Sequence, residues 1–190
     1  MDQVWLTAAL AADAAEGEGV LPGSIRPLRH GARVVGRVST CSVSPGDNTS
    51  VRKALEQGPQ GGSILVIAGA AESPAAVMGG LVAEALSLQS FTAVVTDGLV
   101  RDSEEVSAFL KVWCRGTTTL APAKKAKADT GAPVTIGGVT IAPGDYLVAD
   151  ADGIVVWPAA AVEKLREKAH ARDARDQARG AMLRRTGKLD

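Results

Sequence analysis

Ser63-Ile64-Leu65-Val66-Ile67-Ala68 is an uncharged stretch of six residues set between Gly61-Gly62 and Gly69. It is far too short to span a bilayer, and its flanking glycines bound it as a strand. Successive strand side chains point to opposite faces, so an unbroken apolar run requires cover on both sides of the sheet. Upstream, Ala32 to Val43 mixes Val34, Val35, Val38 and Val43 with Arg and Ser, which is again a strand pattern. Pro45-Gly46-Asp47-Asn48 closes that strand and offers capping side chains to a helix over Thr49 to Gln57. Downstream, Met78 to Ser87 reads as a helix opened by Gly79-Gly80, and Thr92-Ala93-Val94-Val95-Thr96 as a second buried strand. The chain then passes Asp97-Gly98 and Leu99-Val100-Arg101-Asp102 into a helix from Ser103 to about Leu110, with a strand over Lys111 to Thr119.

Past that point the alternation stops. Ala121 to Gly131 is a basic loop of low hydrophobicity, and its Lys124-Lys125-Ala126-Lys127 cluster reads as solvated. Pro133 to Ile141 holds two apolar runs joined by Gly137-Gly138, a two-residue hairpin signal. Turns at Pro143-Gly144-Asp145 and Ala151-Asp152-Gly153 bracket strands over Tyr146 to Ala149 and Ile154 to Trp157. Pro158 suits the first position of a closing helix, Ala159 to about Arg185. Val162, Leu165 and Ala169 give its first turns an apolar face, whereas Ala171 to Gly180 is polar all round, either a solvated arm or a surface against another subunit. Near the amino terminus, Trp5 to Glu16 is an Ala-rich helix followed by Gly17, Gly19 and Gly23. Alternating strands and helices followed by hairpins predict an α/β chain of two sheets and a helical layer, not a doubly wound nucleotide fold.

With 190 residues and 46% apolar content, one domain over residues 1–190 is expected, residues 159–185 forming a carboxy-terminal helical extension. Basic and acidic residues balance at 21 each, so no net field gathers nucleic acid or an anionic membrane. Aromatic content of 3% argues against base-stacking platforms. Cys41 and Cys114 lie in apolar stretches and read as reduced core residues; Trp113 and Trp157 likewise read as core. His30 and His170 lack partners at metal spacing. Met1 to Leu10 lacks a basic region followed by an apolar run, and no stretch reaches transmembrane length, so a soluble cytoplasmic protein is expected.

Two stretches carry candidate chemistry. Gly79-Gly80-Leu81-Val82 places unpaired N–H groups at a helix start, suited to a carboxylate or phosphate, or else its glycines merely close a loop and allow tight packing. In Asp97-Gly98-Leu99-Val100-Arg101-Asp102, Asp97-Gly98 reads as a tight turn. The Arg101 fork suits a carboxylate and the Asp102 carboxylate a hard cation; alternatively Asp102 pairs with Glu105 as an ordinary helix cap.

From Ile25-Arg26-Pro27-Leu28 onward the sequence resembles the RraA-like family, which includes the 4-hydroxy-4-methyl-2-oxoglutarate / 4-carboxy-4-hydroxy-2-oxoadipate aldolases. The resemblance rests on Pro45-Gly46-Asp47-Asn48, Met78-Gly79-Gly80-Leu81, Val94 to Asp102, Pro133 to Val139, Pro143-Gly144-Asp145 and Ala149 to Val156. It implies a three-layer β/β/α swivelling-domain-like fold with a long C-terminal helix, assembled as a homotrimer or dimer of trimers. It implies Arg101 as substrate-binding and catalytic, Asp102 as the ligand of Mg²⁺ or Mn²⁺, and Gly79, Gly80, Leu81 and Val82 as the loop whose backbone contacts a small oxo acid. The implied activity is metal-dependent cleavage of a 4-hydroxy-2-oxo acid through an enolate to release pyruvate, with oxaloacetate decarboxylation beside it. Aldolase members commonly carry an acid where this chain has Gly80, which leaves the proton donor open among Asp47, Glu84 and Asp97. The alternative within the same fold is a non-catalytic regulator that binds and inhibits an endoribonuclease.

Overall fold

The computed structural model describes residues 5–188; Met1 to Val4, the start of the segment read above for a secretory signal, lie outside it. In chain order the elements are α1 (Ala8–Ala14), β1 (Arg26–Pro27), β2 (Val34–Ser42), α2 (Thr49–Gln57), β3 (Ile64–Ala68), β4 (Ala76–Met78), α3 (Gly80–Leu88), β5 (Ala93–Thr96), β6 (Leu99–Val100) and α4 (Ser103–Phe109). There follow β7 (Lys111–Cys114), β8 (Gly116–Thr117), β9 (Asp129–Thr130), β10 (Val134–Ile136), β11 (Val139–Ile141), β12 (Tyr146–Ala149), β13 (Ile154–Trp157) and α5 (Val162–Thr186).

Strands β7, β5, β3 and β2 lie side by side and parallel, at the heart of the main sheet. All five residues of β3 are buried, as the apolar run requires. Leu65 and Ile67 face one way, into a core shared with Val51 and Ala54 of α2, Ala83 and Leu86 of α3, and Val106 of α4. Ile64, Val66 and Ala68 face the other way, against Val134, Ile136, Ile141, Leu147 and Ile154 of the hairpin layer. Each Leu, Ile or Val among them contributes about 1.5–3 kcal/mol on burial, so the alternation holds three layers together from one strand.

Strand β2 joins the two β layers. Its first half, Val34 to Arg37, pairs antiparallel with β12, while Val38 to Ser42 pairs parallel with β3. One long strand therefore belongs to both halves of a curled sheet, and the β/β/α arrangement follows. The β10–β11 hairpin turns at Gly137 and Gly138, whose φ angles of 57° and 86° are both positive, as a tight two-residue turn demands. On the outer face, α1 and α5 pack on β12 and β13 around Trp157, which is buried and donates from Nε1 to Ala11 O at 3.1 Å. Trp113 is buried too, donating to Asp150 O, and Cys41 and Cys114 are free buried thiols, the Cys41 thiol pushed up to about 12 by burial. Among the described residues no helix is long and apolar enough to cross a membrane.

The structure corrects several boundaries. Pro158 does not begin the closing helix: its ψ is 139°, a 3₁₀ turn follows over Ala159–Ala161, and α5 begins at Val162. The Asp145 carboxylate holds this entry by accepting from Ala159 N and Ala142 N, both at 2.8 Å. Met78 belongs to strand β4 rather than to the helix, which starts at Gly80. The stretch Lys111 to Thr119 divides into β7 and β8, which belong to different sheets. In α5 only Val162 and Ala169 are buried.

Candidate active site

Three short strands build the site. Each follows a central strand directly, β4 after β3, β6 after β5 and β8 after β7, and the three pair in parallel in the order β4-β6-β8. They lie where the parallel strands end at their carboxyl side, the usual place for a ligand in an α/β sheet. Arg101 N donates to Met78 O at 3.1 Å and Ala76 N to Leu120 O at 3.0 Å. These bonds set Gly79, just after β4, against Arg101 and Asp102, just after β6.

Asp102 is left-handed, with φ 54° and ψ 49°, and its side chain makes no capping bond to its own helix α4. The alternative pairing of Asp102 with Glu105 as an ordinary helix cap is therefore not adopted. The carboxylate turns instead toward α3: Oδ2 accepts from Gly80 N at 3.2 Å and lies 3.3 Å from Arg101 Nε. A non-glycine residue in this conformation carries strain, of the kind found where a side chain must be aimed. The glycines leave the space. A Cβ at Gly79 would lie 2.5 Å from Asp102 Oδ2 and 3.0 Å from Arg101 Nε, although its extended backbone would accept any residue. The Leu81 N–H, second in α3, has no partner among the described residues.

Gly79, Gly80, Leu81, Val82, Arg101 and Asp102 all line one cavity of about 360 Å³. Asn48, Glu105 and the 121–124 segment complete its wall. Asn48 is 2% exposed; Nδ2 donates to Val77 O at 3.1 Å, while Oδ1 has no partner among the described residues. A buried acceptor left open costs about 1–3 kcal/mol, so this oxygen is an unpaired polar atom within the residue that forms the cavity wall. In the sequence Asn48 stands out only as a capping residue and as part of the Pro45-Gly46-Asp47-Asn48 motif, not as a site residue. Its side chain makes no capping bond, and Asp47 performs that task by accepting from Thr49 N at 2.8 Å. Glu105 stands out in the sequence only as a cap partner.

The other acids considered as proton donors are occupied elsewhere. Asp47 Oδ2 accepts from Lys125 N at 2.6 Å and Ala126 N at 3.1 Å. Desolvation pushes its carboxyl up, but the Lys125, Thr49 and Ala126 hydrogen bonds outweigh that and hold it well below the usual carboxylate range. Lys124, Lys125 and Lys127 are exposed, as the solvated reading expects, while the backbone of the loop is moored on Asp47, and Ala121, Pro122 and Lys124 form a wall of the cavity. Asp97 accepts from Gly69 N and Ala70 N, tying the ends of β3 and β5 in keeping with its reading as a turn residue. Glu84 is exposed on α3 and does not line the cavity. A second hollow of about 410 Å³, between the β10–β11 hairpin and α5, includes Val139, Trp157 and Leu165. Its buried acid, Asp145, is already engaged at the entry to α5.

Comparison with known proteins agrees with this architecture. The RraA-like family, described as Aldolase/RraA, matches residues 7–156. A protein of Halalkalibacterium halodurans, provisionally named 4-hydroxy-4-methyl-2-oxoglutarate aldolase, is 35% identical over 168 residues, covering 88% of this chain and 80% of its own. A 4-hydroxy-4-methyl-2-oxoglutarate aldolase of Thermus thermophilus is 34% identical over 144 residues, covering 75% of this chain and 86% of its own. Among solved structures, the RNA-processing inhibitor RraA of Thermus thermophilus superposes with a TM-score of 0.72 at 30% identity, over 83% of this chain and 94% of that one. With its curled sheet, its helical layer and these relatives, the chain belongs to the RraA-like family.

Proposed function

We propose that this protein is a divalent-metal-dependent aldolase and decarboxylase that releases pyruvate from a 4-hydroxy-2-oxo acid or from oxaloacetate. The observation that carries the reading is the convergence of Arg101, Asp102 and Asn48 on one cavity at the start of α3, with the Arg101 guanidinium beside the Asp102 carboxylate. The Arg101 fork and the Leu81 N–H are donors placed for a substrate carboxylate. Lys124 adds positive charge at the rim. Such fixed donors favour the transition state by meeting charge where it develops.

The donor set fits Mg²⁺ or Mn²⁺. Asp102 offers Oδ1 to a cation while Oδ2 stays with Gly80 and Arg101, and its side chain is 41% exposed, leaving room for waters. Mg²⁺ binds in this manner, through one or two carboxylates and several waters. Among the described residues no group of three or more His, Cys, Asp or Glu side chains is placed to hold a metal, which speaks against a closed zinc-type cage. A bound cation would supply Lewis-acid polarisation of the 2-oxo group. The proposal includes a homotrimer or dimer of trimers, as the family resemblance implies, with Leu81, 83% exposed beside the cavity, as the residue to test for a subunit contact.

The test is pyruvate formation from oxaloacetate and from 4-hydroxy-4-methyl-2-oxoglutarate, with and without chelator, for the wild type and Arg101→Ala. Activity lost with chelator, restored by Mg²⁺ or Mn²⁺ and absent in the variant is the expected result. A second reading is favoured by the inhibitor named among the structural relatives and by the missing acid at Gly80. In that case the protein binds and inhibits an endoribonuclease, and metal-dependent turnover is absent.

A further inference from the structure

We infer that Asp47, which does not itself line the cavity, is a positioning residue for substrate binding: its carboxylate fixes the 121–126 segment of the cavity wall and so decides where Lys124 stands. The inference rests on the pyruvate-releasing reading above and adds a residue that acts on the substrate through another.

The wall has no apolar anchor. From Arg115 to Pro133 no residue is buried, so side-chain packing contributes little to holding this segment in place. Hydrogen bonds must do so instead. Among the described residues, the backbone bonds that Ala121 to Ala128 make to the rest of the chain all end on Gly46, Asp47 and Asn48. Ala123 N donates to Gly46 O at 2.7 Å, and Asn48 N donates to Ala123 O at 3.1 Å. Asp47 Oδ2 accepts from Lys125 N at 2.6 Å and from Ala126 N at 3.1 Å. Lys124 is therefore tied on both sides, by the Ala123 bonds before it and by the Asp47 carboxylate after it.

The partners of Asp47 are backbone groups. A carboxylate that pairs with a lysine or arginine holds a flexible side chain, whereas one that collects backbone N–H groups holds the chain itself. Asp47 is 8% exposed, so water competes little for these bonds. Its other oxygen, Oδ1, accepts from Thr49 N at the start of α2, and the neighbouring Asn48 Nδ2 donates to Val77 O in β4. The turn thus fastens the wall to the same strand that delivers Gly79 and Gly80 to the cavity.

Of the residues that the wall presents to the cavity, Ala121, Pro122 and Lys124, only Lys124 is charged. Arg101 and the Leu81 N–H, which receive the carboxylate of the pyruvate unit in the reading above, are held by other elements. A loosened wall therefore weakens the grip on the part of the substrate beyond that unit, which in oxaloacetate is a second carboxylate, while the groups at the breaking bond stay in place. Loss of binding of this kind raises KM and leaves kcat unchanged.

The test joins kinetics to proteolysis. Oxaloacetate turnover with Mg²⁺, equilibrium binding of pyruvate and thermal unfolding are measured for the wild type, Asp47→Ala, Asp47→Asn, Lys124→Ala and the double variant Asp47→Ala/Lys124→Ala. Trypsin, which cuts after Lys124, Lys125 and Lys127, reads the mooring directly, with cleavage after Lys111 as the control for general loosening. Asp47→Ala is expected to raise KM at least about tenfold, with kcat and pyruvate binding within about threefold of wild type. Its 124–127 segment is expected to be cut at least about tenfold faster, with no matching rise at Lys111. Asp47→Asn, which keeps one acceptor oxygen, is expected to fall between the two, and it carries the test if Asp47→Ala does not fold. If Asp47 acts through Lys124, the double variant has the KM of Lys124→Ala alone within about twofold. A wild-type KM in both Asp47 variants, a raised KM without faster cleavage at 124–127, or KM effects that multiply in the double variant overturns the inference and leaves the pyruvate-releasing reading intact. A wild type that releases no pyruvate overturns that reading, and the role of Asp47 in binding with it.

Discussion

Replacing Asp102 with glycine and with alanine separates the two duties that one residue performs. Both substitutions remove the 3.3 Å contact to Arg101 and the 3.2 Å bond from Gly80 N. Both groups of the ion pair are 41% exposed, so solvent screens it, and the lost interactions amount to about 0.5–1 kcal/mol. The backbone term differs between the two. Alanine must hold φ 54°, at a cost of about 1–2 kcal/mol, whereas glycine adopts that angle freely and gives back about 0.5–1 kcal/mol through its more flexible unfolded chain. Asp102→Gly should therefore stay within about 2 kcal/mol of wild type, and Asp102→Ala should fall below Asp102→Gly by up to about 1.5 kcal/mol. For a chain of this size each kcal/mol moves Tm by about 2–4 °C. Urea unfolding followed by circular dichroism resolves the stability term, and pyruvate release measures function, which both variants should lose. An Asp102→Gly protein more than about 3 kcal/mol below wild type would show the carboxylate to be a structural tie and refute the argument. Asp102→Ala clearly more stable than Asp102→Gly would show that the left-handed backbone carries no strain.

Gly79→Ala should depress pyruvate release at least about tenfold, because its Cβ would sit 2.5 Å from Asp102 Oδ2 and push the carboxylate off its present line. The backbone there is extended and both neighbours are half exposed, so stability should change by less than about 2 kcal/mol in urea unfolding. Asp47→Asn tests the mooring of the 121–127 loop through pH. A carboxyl held below its ordinary value stabilises the fold fully above the unfolded-state pKa of about 3.9, and that contribution is lost as pH falls through the folded value. The stability gap between wild type and Asp47→Asn should thus be widest near pH 7 and narrow below about pH 4; a gap independent of pH would contradict the assignment. Light scattering should find three or six copies per particle, and Leu81→Lys should reduce that number if the exposed leucine lies between subunits.

Much of this architecture is legible in residue order alone. Ile64 to Ala68 and Ala93 to Thr96 announce buried strands because uninterrupted apolar runs need cover on two faces, and Gly137-Gly138 announces its hairpin because few other pairs accept two positive φ angles. Arg101, Asp102 and the glycine pair likewise stand out by type and spacing, and by resemblance to a family whose motifs they share. What stays hidden in the chain arises from pairing between distant segments. Strands β4, β6 and β8 have two or three residues each, too few to carry a period, and exist only because three crossovers end side by side. Their alignment brings Asn48, Gly80 and Glu105 to a single cavity across 57 residues of sequence. Whether Asp102 caps its own helix or reaches the next one rests on one backbone angle, which residue type permits but does not choose. Local composition specifies which segments must be buried; the positions of individual carboxylates depend on how those segments pack, since side-chain direction follows from backbone geometry and from the room that neighbours leave.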